Sequence, residues 1–353
     1  MEEERLFDLE DGYTLFRTRA LSDEIVQFLE NTAFGSKDNL YRHFYIREFV
    51  AHTPRTEFYL LRNHEKELMG LVAFCRRTFM GSPPYEGAYI RYFASSPKIR
   101  GKKLISRFSK EFMQWVRREQ RTPLVLFGSI EGRNKASRTI ADHLGFEPFA
   151  PFKTMGFSRF RPRMKGEVHP VSAEEWKELL PKLTAFYSNH AFWGQDYLNV
   201  DGDYYVLKKD GKIVCGAQVH KAHWVVEKMM GFVGKYVLPV IPYVPFLSSI
   251  FNPRAFHFLN FEGVYVEKGQ EASLIDLFES LLHIKKYHSA LIWFDERDPL
   301  YQALVNIGKL GLLSRFTKNA NASFIVDFSC FPEEEAKKIR AVRYCYPTGY
   351  DYT

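Results

Sequence analysis

The nine residues Ser96-Pro97-Lys98-Ile99-Arg100-Gly101-Lys102-Lys103-Leu104 have the make-up of an anion site. Upstream, Ala88-Tyr89-Ile90-Arg91-Tyr92-Phe93-Ala94-Ser95 reads as a buried strand. Downstream, Leu104, Phe108, Phe112, Trp115 and Val116 recur at helical spacing. A strand, a short basic turn and a helix start bring free backbone N–H groups and the positive end of a helix dipole to one point. With Lys and Arg around that point, the expected anion is a phosphate.

The charge of the whole chain supports this placement. The formal charge of +7 is uneven: residues 98–165 hold 17 Lys/Arg against 5 Asp/Glu, and the rest holds 32 against 37. A basic surplus just after the strand fits a phosphate or polyanion partner, and equally a solvated helix face. Length predicts two domains. The four cysteines, Cys75, Cys215, Cys330 and Cys345, are scattered without a CxxC pair, and the histidines show no ligand-spaced pair, so no metal is expected. Sparse cysteines point to a reducing compartment, the cytoplasm. The start Met-Glu-Glu-Glu-Arg does not read as a secretory signal.

The elements that must position the turn follow in order. Tyr13–Arg17 reads as a strand, Ser22 caps a helix, and Tyr41–Val50 reads as a second helix. Phe58–Arg62 and Leu68–Cys75 make a hairpin around Asn63-His64-Glu65-Lys66. After the basic turn, Leu124–Ser129 is a buried strand, Asn134–His143 a helix stopped by Gly145, and Phe152–Phe157 a last strand. Arg159–Val168 reads as a linker, and the order then repeats. Ser172 caps a helix, Tyr204–Lys208 and Ile213–Val219 form a hairpin, and Phe256–Val266, Ala272–Tyr287, Ala290–Phe294, Pro299–Ile307 and Ser323–Phe328 alternate strand with helix. The fold class is therefore α/β (α+β): an N-terminal domain over 1–160, a second over 161–329, and a tail over 330–353.

The second half carries an insertion over 222–254. Its run Tyr236-Val237-Leu238-Pro239-Val240-Ile241-Pro242-Tyr243-Val244-Pro245-Phe246-Leu247 is apolar but broken by three prolines. A span needs about 20 apolar helical residues, so no transmembrane segment is expected. The run is expected to be an apolar flap sealing a cleft between the domains; a pocket wall and a shallow membrane-surface contact are the other readings.

This order resembles the GNAT superfamily of N-acetyltransferases. Arg100-Gly101-Lys102-Lys103-Leu104-Ile105 is similar to the family's phosphate turn, with Lys103 and Ile105 in place of its small residues. Glu131-Gly132-Arg133-Asn134-Lys135-Ala136-Ser137, with His143-Leu144-Gly145-Phe146, is similar to its second signature. Leu238-Pro239, Ile241-Pro242, Val244-Pro245, Phe251-Asn252-Pro253, Phe256-His257-Phe258 and Arg297-Asp298-Pro299-Leu300 resemble the carboxy-terminal half of plant Hookless-type N-acetyltransferases.

The resemblance implies two tandem GNAT-like domains, each a mixed central sheet flanked by helices, and transfer of an acetyl group from acetyl-CoA to an amine. It implies that Phe93, Ala94 and Ser95 contact the pantetheine arm and that Arg100, Gly101, Lys102, Lys103 and Leu104 cradle the pyrophosphate. Asn134 would contact the arm or cap its helix, and Glu131 is the expected base. The family's tyrosine proton donor is replaced by Ala141, leaving solvent, Tyr92 or His143. Val266-Glu267-Lys268-Gly269-Gln270-Glu271, the counterpart turn, lacks Arg-Gly and adds acids, so the second domain is expected to bind coenzyme A poorly. Asp295, Glu296 and Asp298 either attract a cationic amine or form an ordinary polar loop. Two other functions stay open: a non-catalytic GNAT-fold binding or regulatory protein, and an aminoacyl-tRNA-dependent transferase. No nucleic-acid recognition module is present, so nucleic acid is not the expected partner, and no pattern sets an oligomeric state.

Overall fold

The computed structural model describes residues 3–53, 55–99, 104–231 and 233–352. The chain forms two units, Met1–Phe149 with Ser323–Ala341, and Ala150–Ala322 with Val342–Thr353. The expected class holds, because each unit is a mixed sheet with helices packed on it.

The first stretch of chain gives β1 (Glu4–Leu9), β2 (Tyr13–Thr18), α1 (Asp23–Glu30), β3 (Phe34–Ser36), β4 (Asn39–His43), α2 (Ile46–Ala51), β5 (Thr56–Arg62), β6 (Leu68–Phe79) and β7 (Tyr85–Ser95). Then come α3 (Leu104–Glu119), β8 (Val125–Glu131), α4 (Lys135–His143) and β9 (Glu147–Ser158). The second stretch gives β10 (Glu167–Pro170), α5 (Ala173–Phe186), β11 (His190–Ala191), β12 (Tyr204–Lys209), β13 (Lys212–Lys228), α6 (Pro245–Ile250) and β14 (Phe256–Val266). It ends in α7 (Glu271–Lys285), β15 (Ser289–Asp295), α8 (Pro299–Ile307), α9 (Leu313–Thr317), β16 (Asn321–Asp327), α10 (Glu333–Ala341) and β17 (Tyr344–Cys345).

In the first unit the strand order is β1-β2-β5-β6-β7-β8-β16, and in the second β9-β15-β14-β13-β12-β10. The expected division at 160 and 329 follows chain order, whereas each sheet here ends in a strand from outside its own stretch. Pairing energy, not chain order, assigns an edge strand, because connections add little entropy cost with length. The expected helix over Tyr41–Val50 is corrected: Asn39–His43 is a strand, and α2 begins only after Tyr45, whose φ of 63° no helix interior tolerates.

The first core forms because α3 repeats apolar residues four apart. Leu104, Phe108, Phe112 and Val116 are buried against the sheet, with Phe112 4.8 Å from the Tyr59 ring. Each such side chain contributes about 1.5–3 kcal/mol. In the second unit α7 does the same, and Phe278 stacks on Phe261 at 4.8 Å. Ser172 starts α5 in a full capping box with Glu175.

Candidate functional site

In the first unit β7 and β8 are the parallel neighbours, but their register covers only Gly87–Tyr89 against Val125–Phe127. Beyond it β7 runs on to Ser95 and β8 to Glu131. β7 bulges in this stretch: its register against β6 jumps from Leu71↔Ala94 to Ala73↔Arg91, and Tyr92 takes a left-handed φ of 54°. That conformation costs a non-glycine residue about 1–2 kcal/mol, so the surroundings must hold it. Phe34 and Phe49 pack on the Tyr92 ring at 5.9 and 6.1 Å, and the Arg91 guanidinium lies 4.3 Å from it. The Tyr92 hydroxyl is sealed from solvent and makes no hydrogen bond among the described residues. Burial pushes its pKa up to about 12.

Glu131 stands at the end of β8. Asn39 Nδ2 donates to its Oε1 at 2.9 Å, while Oε2 is sealed and makes no hydrogen bond among the described residues. Burial raises its pKa from the ordinary carboxylate value, with Asn39, Arg133 and Ser36 pulling the other way. The β3–β4 hairpin that brings Asn39 here depends on Gly35, whose φ is 105° and where a Cβ would meet the Asn39 carbonyl oxygen at 2.2 Å. The run Gly35-Ser36-Lys37-Asp38-Asn39 was the signal for it, a cluster of turn formers between two aromatic stretches.

The other expected residues fall as follows. Phe93 is exposed, Ala94 is buried, and Ser95 pairs with Gly70 of β6. Arg100, Gly101, Lys102 and Lys103 lie outside the described residues. Leu104 opens α3 with its side chain in the core, so its backbone N–H is the part left to meet an anion. Lys98 puts its ammonium on Glu67 at 2.9 Å. Asn134 caps α4, its Oδ1 accepting from Ser137 N at 3.1 Å and its Nδ2 donating to Gly35 O at 3.1 Å. Ala141 is buried, and exposed His143 bonds Thr139 O through Nδ1 at 2.7 Å.

The second unit repeats the arrangement and fills it. β14 and β15 run parallel only over Leu259↔Ala290 and Asn260↔Leu291. β14 bulges where its register against β13 jumps from Gly216↔Tyr265 to Gln218↔Glu262, with Gly263 at φ 55°. Here the bulge is spoken for. Gly263 N donates to Tyr346 Oη at 2.8 Å, Tyr204 Oη donates to Gly263 O at 2.8 Å, and Tyr187 Oη donates to Val264 O at 2.6 Å. The C-terminal segment completes the filling: Cys345 N donates to Asp295 Oδ2 at 2.9 Å, Thr348 Oγ1 donates to Glu262, and Tyr350 N donates to Glu262 Oε2 at 3.3 Å.

Asp295, Glu296 and Asp298 already have partners within this unit. Asp295 takes two hydrogen bonds from the Arg297 side chain, Asp298 caps α8 and binds His190 Nε2 at 2.9 Å, and Glu296 pairs with Lys153 at 3.3 Å. Glu267 accepts from Tyr265 Oη, and Glu271 Oε1 accepts from Gly269 N at 3.1 Å. No group of three or more His, Cys, Asp or Glu among the described residues is placed to hold a metal ion.

No family model matches this chain, and no curated protein matches it in sequence. Solved structures do match in shape. Saccharomyces cerevisiae N-myristoyltransferase with bound myristoyl-CoA aligns at a TM-score of 0.57 and 11% identity, over 92% of this chain and 84% of that one. The same enzyme with myristoyl-CoA and inhibitors aligns at 0.61 and 11%, over 92% and 81%. A GCN5-related N-acetyltransferase from Sphaerobacter thermophilus aligns at 0.47 and 8%, over 78% and 81%. The chain has an N-myristoyltransferase-like fold. At this identity the likeness concerns the fold, and the site must be argued from its own residues.

Proposed function

We propose that this protein transfers an acyl group from an acyl-coenzyme A thioester to an amine, with the thioester held by the first unit. The observation that carries the reading is the divergence of β7 from β8 around the Tyr92 bulge, with a half-buried carboxylate, its Oε2 sealed, at the far end. A pantetheine arm lies along Phe93–Ser95 as a strand-like partner, and the pyrophosphate meets Arg100, Gly101, Lys102, Lys103 and the backbone of Leu104. Glu131 takes the proton from the attacking amine, directly or through one water, and burial shifts its pKa in the direction that favours a base. The amine nitrogen bonds the thioester carbonyl carbon, the C–S bond breaks, and the thiolate takes a proton. The Tyr92 hydroxyl, kept protonated by burial, is the donor the fold offers in place of Ala141.

Acetyl is the donor group we assign. Phe34, His43, Phe49 and Tyr92 pack ring to ring at 5.3 to 6.5 Å beside the bulge, which favours a short acyl group over a long chain. The two bulges, with φ of 54° and 55° at equivalent register shifts, support tandem copies of one fold. A second reading, a non-catalytic acyl-coenzyme A binder, rests on buried Ala141 at the family's tyrosine position.

Calorimetric titration of the full chain with acetyl-CoA and with myristoyl-CoA tests the proposal. One equivalent of acetyl-CoA is expected to bind, weakened at least ten-fold by Arg100→Glu, and turnover is expected with amine acceptors. Absence of binding to either thioester rejects the reading; tight binding without turnover on any amine leaves the non-catalytic one standing.

A further inference from the structure

The insertion before α6 turns several large side chains to solvent. Tyr236 is 53% exposed, Val240 55%, Tyr243 69%, Phe246 66% and Met230 42%. Single exposed apolar residues are ordinary; five within seventeen positions are not. The segment is a series of tight turns: Val240 N bonds Val237 O, Tyr243 N bonds Val240 O, Leu247 N bonds Val244 O, and α6 follows. Residues 236, 240, 243 and 246, three or four apart along such turns, share one side. The opposite side anchors the segment, with Ile241 and Ile250 each 2% exposed and Phe251 packed on Phe256 at 4.9 Å.

Beyond Glu227, charge on this segment has one sign. From Lys228 to Phe261 the chain holds Lys228, Lys235 and Arg254 and no Asp or Glu. Two of these cations sit against the exposed rings. Lys235 Nζ lies 5.1 Å from the Tyr236 ring centre, and the Arg254 guanidinium lies 5.0 Å from that of Tyr243 while Nη2 donates to its hydroxyl at 2.8 Å. Aromatic rings with polar tips beside cations suit the boundary between headgroups and acyl chains.

We propose that this face docks on an anionic lipid bilayer surface. Tyr236, Val240, Tyr243 and Phe246 enter the headgroup layer, and Lys235 and Arg254 meet lipid phosphates or carboxylates. The segment lies on the membrane and does not cross it, since no helix among the described residues is long and apolar enough to span one. The proposal does not depend on the acyl-transfer reading.

Co-sedimentation of the full chain with vesicles of phosphatidylcholine, and of phosphatidylcholine mixed with phosphatidylserine, tests it. Binding to the mixed vesicles is expected, falling as salt is raised. The double variant Tyr243→Ser, Phe246→Ser should bind at least ten-fold more weakly, while melting within a few degrees of wild type, because Phe246 faces solvent and Tyr243 loses only its exposed contact with Arg254. Lys235→Gln should weaken binding to the mixed vesicles about five-fold and leave phosphatidylcholine unaffected. No binding to the mixed vesicles, or binding indifferent to the double variant, overturns the proposal. So does a wild-type dimer in size-exclusion chromatography that the double variant abolishes, since the face would then belong to a second copy.

Discussion

The two units build the same gap and put it to opposite uses. Each has a pair of parallel strands that part after two or three residues, beside a bulge held at φ near 55°. In the second unit the bulge is a glycine, and tyrosine hydroxyls and the C-terminal segment take its backbone groups. In the first unit the bulge is Tyr92, a residue that pays for its backbone conformation with ring packing, and the half-buried carboxylate beyond it keeps one sealed oxygen unbonded among the described residues. The second gap commits its polar groups to stability, whereas the first keeps a strained residue and a carboxylate oxygen unbonded among the described residues, the difference on which the proposed site rests.

The largest effect that separates the units is on rate. Glu131→Gln should lower acyl transfer about 10²- to 10⁴-fold, with acetyl-CoA affinity unchanged by calorimetry. Glu262→Gln in the filled unit should leave the rate within a few-fold and lower the melting temperature instead, because Glu262 accepts from Thr348 and Tyr350. Burial raises the Glu131 pKa, so the folded state disfavours its ionised form. Its contribution to stability is present at low pH and lost as pH rises through the folded value. Wild-type kcat/KM should therefore rise with pH through one carboxyl group whose pKa is raised, and the Gln variant should lose that limb while melting no lower than wild type at pH 7. A Gln variant that kept the limb would remove Glu131 from the chemistry.

Next in size is the seal itself. Tyr346→Phe keeps the ring but leaves the buried Gly263 N–H without an acceptor, a cost of about 1–3 kcal/mol, which thermal denaturation would register. The number of acetyl-CoA molecules bound should stay at one. A second equivalent in this variant would mean that the C-terminal segment, and not the acids around Glu267, keeps coenzyme A out of the second unit.

How much of this was legible in the sequence depends on the range of the interaction. Strands such as Leu124–Ser129 and Phe256–Val266, and helices such as Pro299–Ile307, came from local periodicity and caps, and the structure has them within a few residues. The hairpin at Phe34–His43 was missed because its aromatic residues mimic an amphipathic helix, and only the positive φ of Tyr45 interrupts it. Docking of the C-terminal segment had no local signal at all. β17 pairs with β11 over just two residues, and beyond that pairing the segment is held by side-chain hydrogen bonds and ring contacts. The strands at 152–157 and 323–328 were visible, but not which sheet each joins. At the site, the Tyr92 strand was read from its apolar run and Glu131 from the family resemblance, while Asn39, which bonds Glu131 from 92 residues away, was not named.

A smaller test concerns the bulges. Gly263→Ala places a Cβ 2.4 Å from Leu198 Cδ2 at a φ of 55°, and should cost about 1–2 kcal/mol. Leu198 can rotate aside, so the cost is chiefly backbone strain, and the melting temperature is the measurement. A variant as stable as wild type would show that this bulge can relax, and the match with Tyr92 would lose its meaning.

The smallest expected change in stability is the most informative about Tyr92. Its hydroxyl makes no hydrogen bond among the described residues, so Tyr92→Phe removes a buried polar group that gives nothing back. Stability should stay within about 1 kcal/mol of wild type or rise, because the packing with Phe34, Phe49 and Arg91 is kept. If the hydroxyl protonates the leaving thiolate, kcat should nonetheless fall about ten-fold or more, with KM little changed. Acyl donors whose leaving thiol is more acidic should lose less, since they need the proton less. A Phe variant with unaltered kcat on every donor would return Tyr92 to a purely structural role and assign protonation to solvent.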